Sequence, residues 1–103
     1  MSYYLNNHEI ENPDDHSLFN LLNDTEKEIL LSWIYDNFEP IKSFTTNNTS
    51  YGLKQKFSRT NFYVFNGVFK GAMLEAGFKV KNPNDKNWIF NISKKSKFFT
   101  RRD

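Results

Sequence analysis

The chain has no cysteine, so neither a disulfide nor a thiolate metal ligand holds it together, and a thiol nucleophile is excluded. It has only four glycines, Gly52, Gly67, Gly71 and Gly77, and their spacing fits no phosphate-binding loop. No run approaches the roughly 20 apolar residues of a membrane span. The opening MSYYLNNHEIENPDD has no basic start followed by an apolar stretch, so neither export nor membrane insertion is expected, and the cytosol is the expected compartment. Ser32, Ser50 and Ser58 lack a nearby His–acid arrangement, and His8, Glu9, Asp14, Asp15 and His16 match no ordered metal-ligand spacing. The expectation is a protein without catalysis, cofactor or metal. Cations are scarce at one end and carboxylates at the other. Residues 1–40 hold nine carboxylates against Lys27, a net of −8, whereas residues 41–103 hold thirteen Lys or Arg against Glu75, Asp85 and Asp103, a net of +10. The overall +2 therefore conceals two opposed blocks, which either neutralise each other or form separate patches for a polyanion and a basic partner.

What is plentiful is aromatic. Eleven Phe, five Tyr and two Trp in 103 residues give each apolar position a large side chain. At about 150–250 Å² buried per ring, a 38% hydrophobic share still builds one core, though not two. Residues 1–16 are polar, acidic and interrupted by Pro13, which suits an arm whose Tyr3, Tyr4, Leu5 and Ile10 pack on the rest; a short helical turn fits residues 17–23. Thr25 and Glu28 read as a capping box for a helix to about residue 37, with Ile29, Leu30, Trp33, Ile34 and Phe38 on one face and Pro40 after its end. Ile41-Lys42-Ser43-Phe44-Thr45 alternates like a short strand. A second helix over 51–59 points Leu53 and Phe57 inward and leaves Lys54, Lys56 and Arg59 more exposed. Residues 62–65 are apolar but too short to separate strand from buried linker. Asn66 caps a third helix over 67–76, which Gly77 stops in the left-handed conformation. Phe78-Lys79-Val80-Lys81 and Trp88-Ile89-Phe90-Asn91-Ile92 alternate on either side of a turn-rich loop at 82–87 and form a hairpin. Residues 94–103 are a basic tail carrying Phe98 and Phe99. There is no internal repeat.

This order is that of an α+β winged helix-turn-helix: three helices, a small antiparallel sheet and a wing at 82–87, within a domain spanning 17–93 between the acidic arm and the basic tail. The connection between the second and third helices is longer than the roughly 3–4 residues of a compact helix-turn-helix. In this reading the third helix enters a groove and offers Asn66 and Lys70 on its outer face, Lys70 to phosphate or guanine, Asn66 as cap, base contact or neither. Lys54, Lys56, Arg59, Lys86, Lys94, Lys95, Lys97, Arg101 and Arg102 position the nucleic-acid backbone. Phe98 and Phe99 stack on unpaired bases or pack on the domain. Gly67 and Gly71 each cost the helix about 1 kcal/mol relative to Ala, so the bare face between them serves close approach, either of a partner or of the chain's own second helix.

Ser50-Tyr51-Gly52-Leu53-Lys54-Gln55-Lys56-Phe57 together with Phe62-Tyr63-Val64-Phe65-Asn66-Gly67-Val68-Phe69-Lys70-Gly71-Ala72-Met73-Leu74-Glu75-Ala76-Gly77-Phe78 resembles small proteins carried by phages and mobile islands of Gram-positive bacteria. That resemblance implies one of two roles. The first is a replication or regulatory accessory that binds DNA or RNA. The second is a small inhibitor of a host defence complex, of the anti-CRISPR kind, that contacts a nucleic-acid-binding protein through the glycine-flanked helix and the acidic arm. The expected function is non-catalytic nucleic-acid binding, with inhibition by protein contact as the alternative. Oligomeric state is not legible in the sequence.

Overall fold

A computed structural model describes residues 3–100, and the expected contacts of Arg101 and Arg102 lie outside that range. Among the described residues the fold is α+β, with four α-helices, one 3₁₀ helix and a two-stranded antiparallel sheet around a single core. Among the described residues no helix is long and apolar enough to cross a membrane.

The sheet is not where alternation placed the strands. It lies in the arm, where β1 (Tyr3–Leu5) pairs with β2 (His8–Ile10) in the register Tyr3↔Ile10 and Leu5↔His8. Asn6 and Asn7 turn the chain with φ of 47° and 70°, the left-handed pair a two-residue hairpin requires and Asn tolerates. Asn6 Nδ2 then donates to Leu21 O at 2.8 Å and to Glu26 Oε1 at 2.9 Å, which ties the hairpin to the next two elements. Asp15 Oδ1 accepts from Ser17 N and starts the 3₁₀ helix His16–Leu21, which buries Leu18 and Phe19.

Helix α1 (Asp24–Asn37) begins two residues earlier than the Thr25–Glu28 reading. Asn23 is the cap: its side chain accepts from Glu26 N, and Glu26 Oε1 accepts from Asn23 N. Both pairs have box spacing; Asn23 takes the cap, and Thr25 lies inside the helix. Leu30 and Ile34 are fully buried, whereas Ile29 faces out. Trp33 gathers Phe38, Phe57, Phe69 and Phe98 edge-on at 5.4–6.2 Å. Phe98 thus packs on the domain rather than standing free, and α4 (Lys97–Thr100) rests on α1, with the buried Ser96 Oγ accepting from Glu39 N.

Helix α2 (Ser50–Thr60) is capped by Thr49 and buries Leu53 and Phe57. Helix α3 (Asn66–Glu75) starts from Phe65 with no side-chain cap, so Asn66 is its first residue rather than its cap. It ends in a Schellman motif: Gly77, at φ 96°, donates to Leu74 O, and Phe78 N donates to Met73 O.

The hairpin expected over 78–92 pairs through the isolated bridge Val80↔Phe90, and the bridges Thr49↔Ile89 and Pro40↔Ile92 tie its second half to the segment before α2. The reason is Asn91. Its side chain replaces ladder bonds, accepting from Lys79 N at 2.6 Å and donating to Ile41 O at 2.7 Å, while Ile92 N turns back onto Phe90 O. Ser50 reinforces the junction with α2, since its N–H donates to Trp88 O and its Oγ accepts from Trp88 N.

Candidate functional site

Helix α3 is the most enclosed element of the fold, with Asn66 through Met73 all buried. Residues 13–22 lie across the face expected to be open. Gly67 N donates to Pro13 O at 2.8 Å. A Cβ on Gly67 would overlap the Asp15 carbonyl, and one on Gly71 would overlap the His16 carbonyl and come within 2.6 Å of Phe19 Cβ. The two glycines therefore admit a backbone, as their spacing suggested, but the backbone is that of the chain's own arm. It is neither α2 nor a partner.

Lys70 is only 4% exposed, which corrects its expected place on the outer face of the helix. Its ammonium donates to Asp14 O at 3.0 Å and to Lys86 O at 2.8 Å and sits 4.4 Å from the Trp88 ring centroid. Burial lowers its pKa below the usual 10.5, against the opposing pull of Asp14 and Asp15. Asp15 moves the other way in cause: hydrogen bonds from Ser17 hold its carboxyl below the ordinary 3.8.

The second buried lysine has a different setting. Lys54 is 3% exposed, against the expectation that it faces out with Lys56 and Arg59, which do. Its Nζ lies 4.4 Å from the Tyr63 ring centroid and 5.0 Å from that of Tyr51, and it makes one long hydrogen bond, 3.4 Å, to Tyr63 Oη. Tyr51 is three residues away on the same helix, while Tyr63 returns on the 61–65 linker.

These side chains line a cleft of about 420 Å³ where α2, the linker, the arm and the 82–87 loop meet. Tyr3, Tyr51, Tyr63 and Phe65 give it aromatic walls, with Phe65 edge-on to Tyr3 at 5.7 Å and to Tyr63 at 5.5 Å. Lys86, whose side chain is 76% exposed, stands at the rim 4.0 Å from Asp14. Asn66 lies in the wall, 4% exposed. Its Nδ2 donates to Asp14 Oδ1 at 2.9 Å, Asn87 Oδ1 at 3.1 Å and Lys86 O at 3.2 Å, and these three acceptors fix the amide orientation. Its Oδ1 is buried and has no hydrogen-bond partner among the described residues.

Of the residues singled out from sequence, the fold brings Lys54, Asn66 and Lys86 together at this cleft and encloses Gly67, Lys70 and Gly71 beneath the arm. Lys94, Lys95 and Lys97 are exposed elsewhere, beside α1 and the 45–48 segment. Sequence reasoning missed Tyr3, Tyr51, Tyr63, Asp14 and Asn87. Only the Tyr51–Lys54 spacing on one helix turn was there to be read. Comparison with protein-family models, curated proteins and solved structures yields no match.

Proposed function

We propose that the chain is a non-catalytic nucleic-acid-binding protein, and that cations outside α3 take the phosphate backbone. The observation that carries this reading is the failure of the two charge blocks to neutralise each other. Lys56, Arg59, Lys79, Lys81, Lys94 and Lys95 are exposed and have no carboxylate within 4 Å among the described residues. Two ion pairs join the blocks there, Lys86–Asp14 at 4.0 Å and Lys97–Asp36 at 3.5 Å. A surface that keeps its cations solvated and uncommitted suits a polyanion, which gains by releasing condensed counterions.

The winged-helix reading belongs with this proposal. What supports it are the isolated bridges Pro40↔Ile92, Thr49↔Ile89 and Val80↔Phe90, which flank the 82–87 loop taken here as the wing. The departure is α3: with residues 13–22 across it, it cannot enter a groove as the chain is folded, so backbone contact by α2 and the wing replaces base reading by α3. The phage or mobile-element setting, in a host cytoplasm, stays part of the proposal. An inhibitor working through the glycine-flanked face finds that face filled by its own arm and is the weaker reading.

Fluorescence titration with labelled DNA and RNA over a salt series tests this. The expected outcome is binding that falls linearly with log salt, at about 0.9 per phosphate neutralised on duplex and about 0.7 on single strands. Lys56→Gln with Arg59→Gln should flatten the slope by about 1–2. Absence of binding to either nucleic acid at low salt overturns the proposal.

A further inference from the structure

We infer that the tyrosine-walled cleft takes one unstacked nucleotide unit, with its phosphate at Lys54 and its base against Tyr63 and Tyr51. The inference rests on the nucleic-acid reading above and deepens it. It starts from two buried groups left incomplete. Lys54 is 3% exposed, yet its three-donor ammonium makes a single hydrogen bond of 3.4 Å, and no carboxylate lies within 4 Å of it among the described residues. Lys70, equally buried and equally close to a ring, spends its donors on two carbonyls at 2.8 and 3.0 Å. A buried cation held so loosely at a cleft wall calls for an anion from outside. The second incomplete group is Asn66 Oδ1, a buried acceptor without a donor in the same wall. Beside it the Asp14 carboxylate also accepts, so this end of the cleft is suited to N–H donors.

A ligand that satisfies both ends carries an anion and a planar group with N–H donors. A nucleotide with an exocyclic amine does so. Tyr63 is 65% exposed and Tyr51 48% exposed, so each has open surface for stacking although Lys54 sits against one side. The cleft volume of about 420 Å³ falls low in the usual range of about 300–1,000 Å³ for ligand pockets, which suits one unit and not a duplex. The unit can come from a free mononucleotide or from a single strand, and the two sources are separable.

The test titrates the full chain with adenosine 5′-monophosphate, inorganic phosphate, oligo(dA), oligo(dT) and a DNA duplex, reading chemical shifts of labelled protein and fluorescence anisotropy. Saturable shifts at Tyr51, Tyr63 and Asn66 with the mononucleotide, absent with inorganic phosphate, support the inference. Tyr63→Ala, at an exposed side chain, should weaken mononucleotide and oligo(dA) binding about tenfold and leave duplex binding within twofold. Oligo(dA) should exceed oligo(dT), which lacks the amine. Tighter binding of oligo(dA) than of the mononucleotide assigns the site to strands; equal binding assigns it to free nucleotides. If the mononucleotide causes no shift at these residues, and Tyr63→Ala weakens single-strand and duplex binding alike, the inference is overturned while backbone binding by the cations stands. If no nucleic acid binds at low salt, the function proposal falls, and the mononucleotide titration still decides the cleft.

Discussion

Lys70 and Lys54 sit in two regions built from the same parts and finished differently. Each is buried, and each holds its ammonium 4.4 Å from the centroid of an aromatic ring, Trp88 for Lys70 and Tyr63 for Lys54. Under the arm, the cation is closed in by the Asp14 and Lys86 carbonyls. At the cleft, the cation keeps unused donors and the rings around it remain partly exposed. The difference teaches that burial alone does not make a charge structural. What decides is whether its donors are already spent within the chain.

The comparison breaks most readily at the glycines. Gly67→Ala and Gly71→Ala place a methyl group against arm backbone and should each cost about 2–3 kcal/mol in urea unfolding, whereas Gly52→Ala, with 4.0 Å of clearance on α2, should gain about 0.5–1 kcal/mol. Equal effects at Gly52 and Gly71 would mean that the arm is not seated on α3. Next in size is the lysine pair itself. Lys70→Met strands two carbonyls and should cost about 2 kcal/mol, while Lys54→Met gives up one long bond and a ring contact and should cost less than about 1 kcal/mol. Reversal of that order removes the distinction between spent and unspent donors. The smallest effect is alkaline. Because burial lowers the pKa of Lys70 in the folded chain, the unfolded chain binds more protons between that depressed value and 10.5, so stability rises with pH through this window relative to Lys70→Met. Below the window both states are protonated and the difference is constant; urea midpoints at stepped pH check it.

Helix existence was legible wherever periodicity and end signals agreed. The Leu53–Phe57 pair, the Leu30–Ile34 face and the Gly77 stop follow from spacing and from the conformational freedom of glycine. What was not legible depends on contacts distant in sequence. No local rule reveals that Asn91 replaces ladder bonds with its side chain, or that residues 13–22 fill the groove between Gly67 and Gly71. The site suffered most from this. Lys54 and Lys70 look like solvated lysines in sequence, and Tyr63 approaches Lys54 only after the linker returns past α2. The capping box was misplaced for the opposite reason: two adjacent segments satisfy the same local pattern, and Asn6 joins the Asn23–Glu26 pair through Glu26 Oε1.

The bonds that seat the arm join residues 52 and 56 positions apart, Asp14 to Asn66 and Asp14 to Lys70. Closing loops of that size has an entropy cost that a hairpin between neighbours largely escapes. During synthesis the amino-terminal end appears first. The β1–β2 hairpin has its partners at once, but Leu18, Phe19 and Leu22 have no helix to cover until Gly67 and Gly71 have been made. Through that interval these apolar side chains stand among the carboxylates of Asp14, Asp15, Asp24, Glu26 and Glu28.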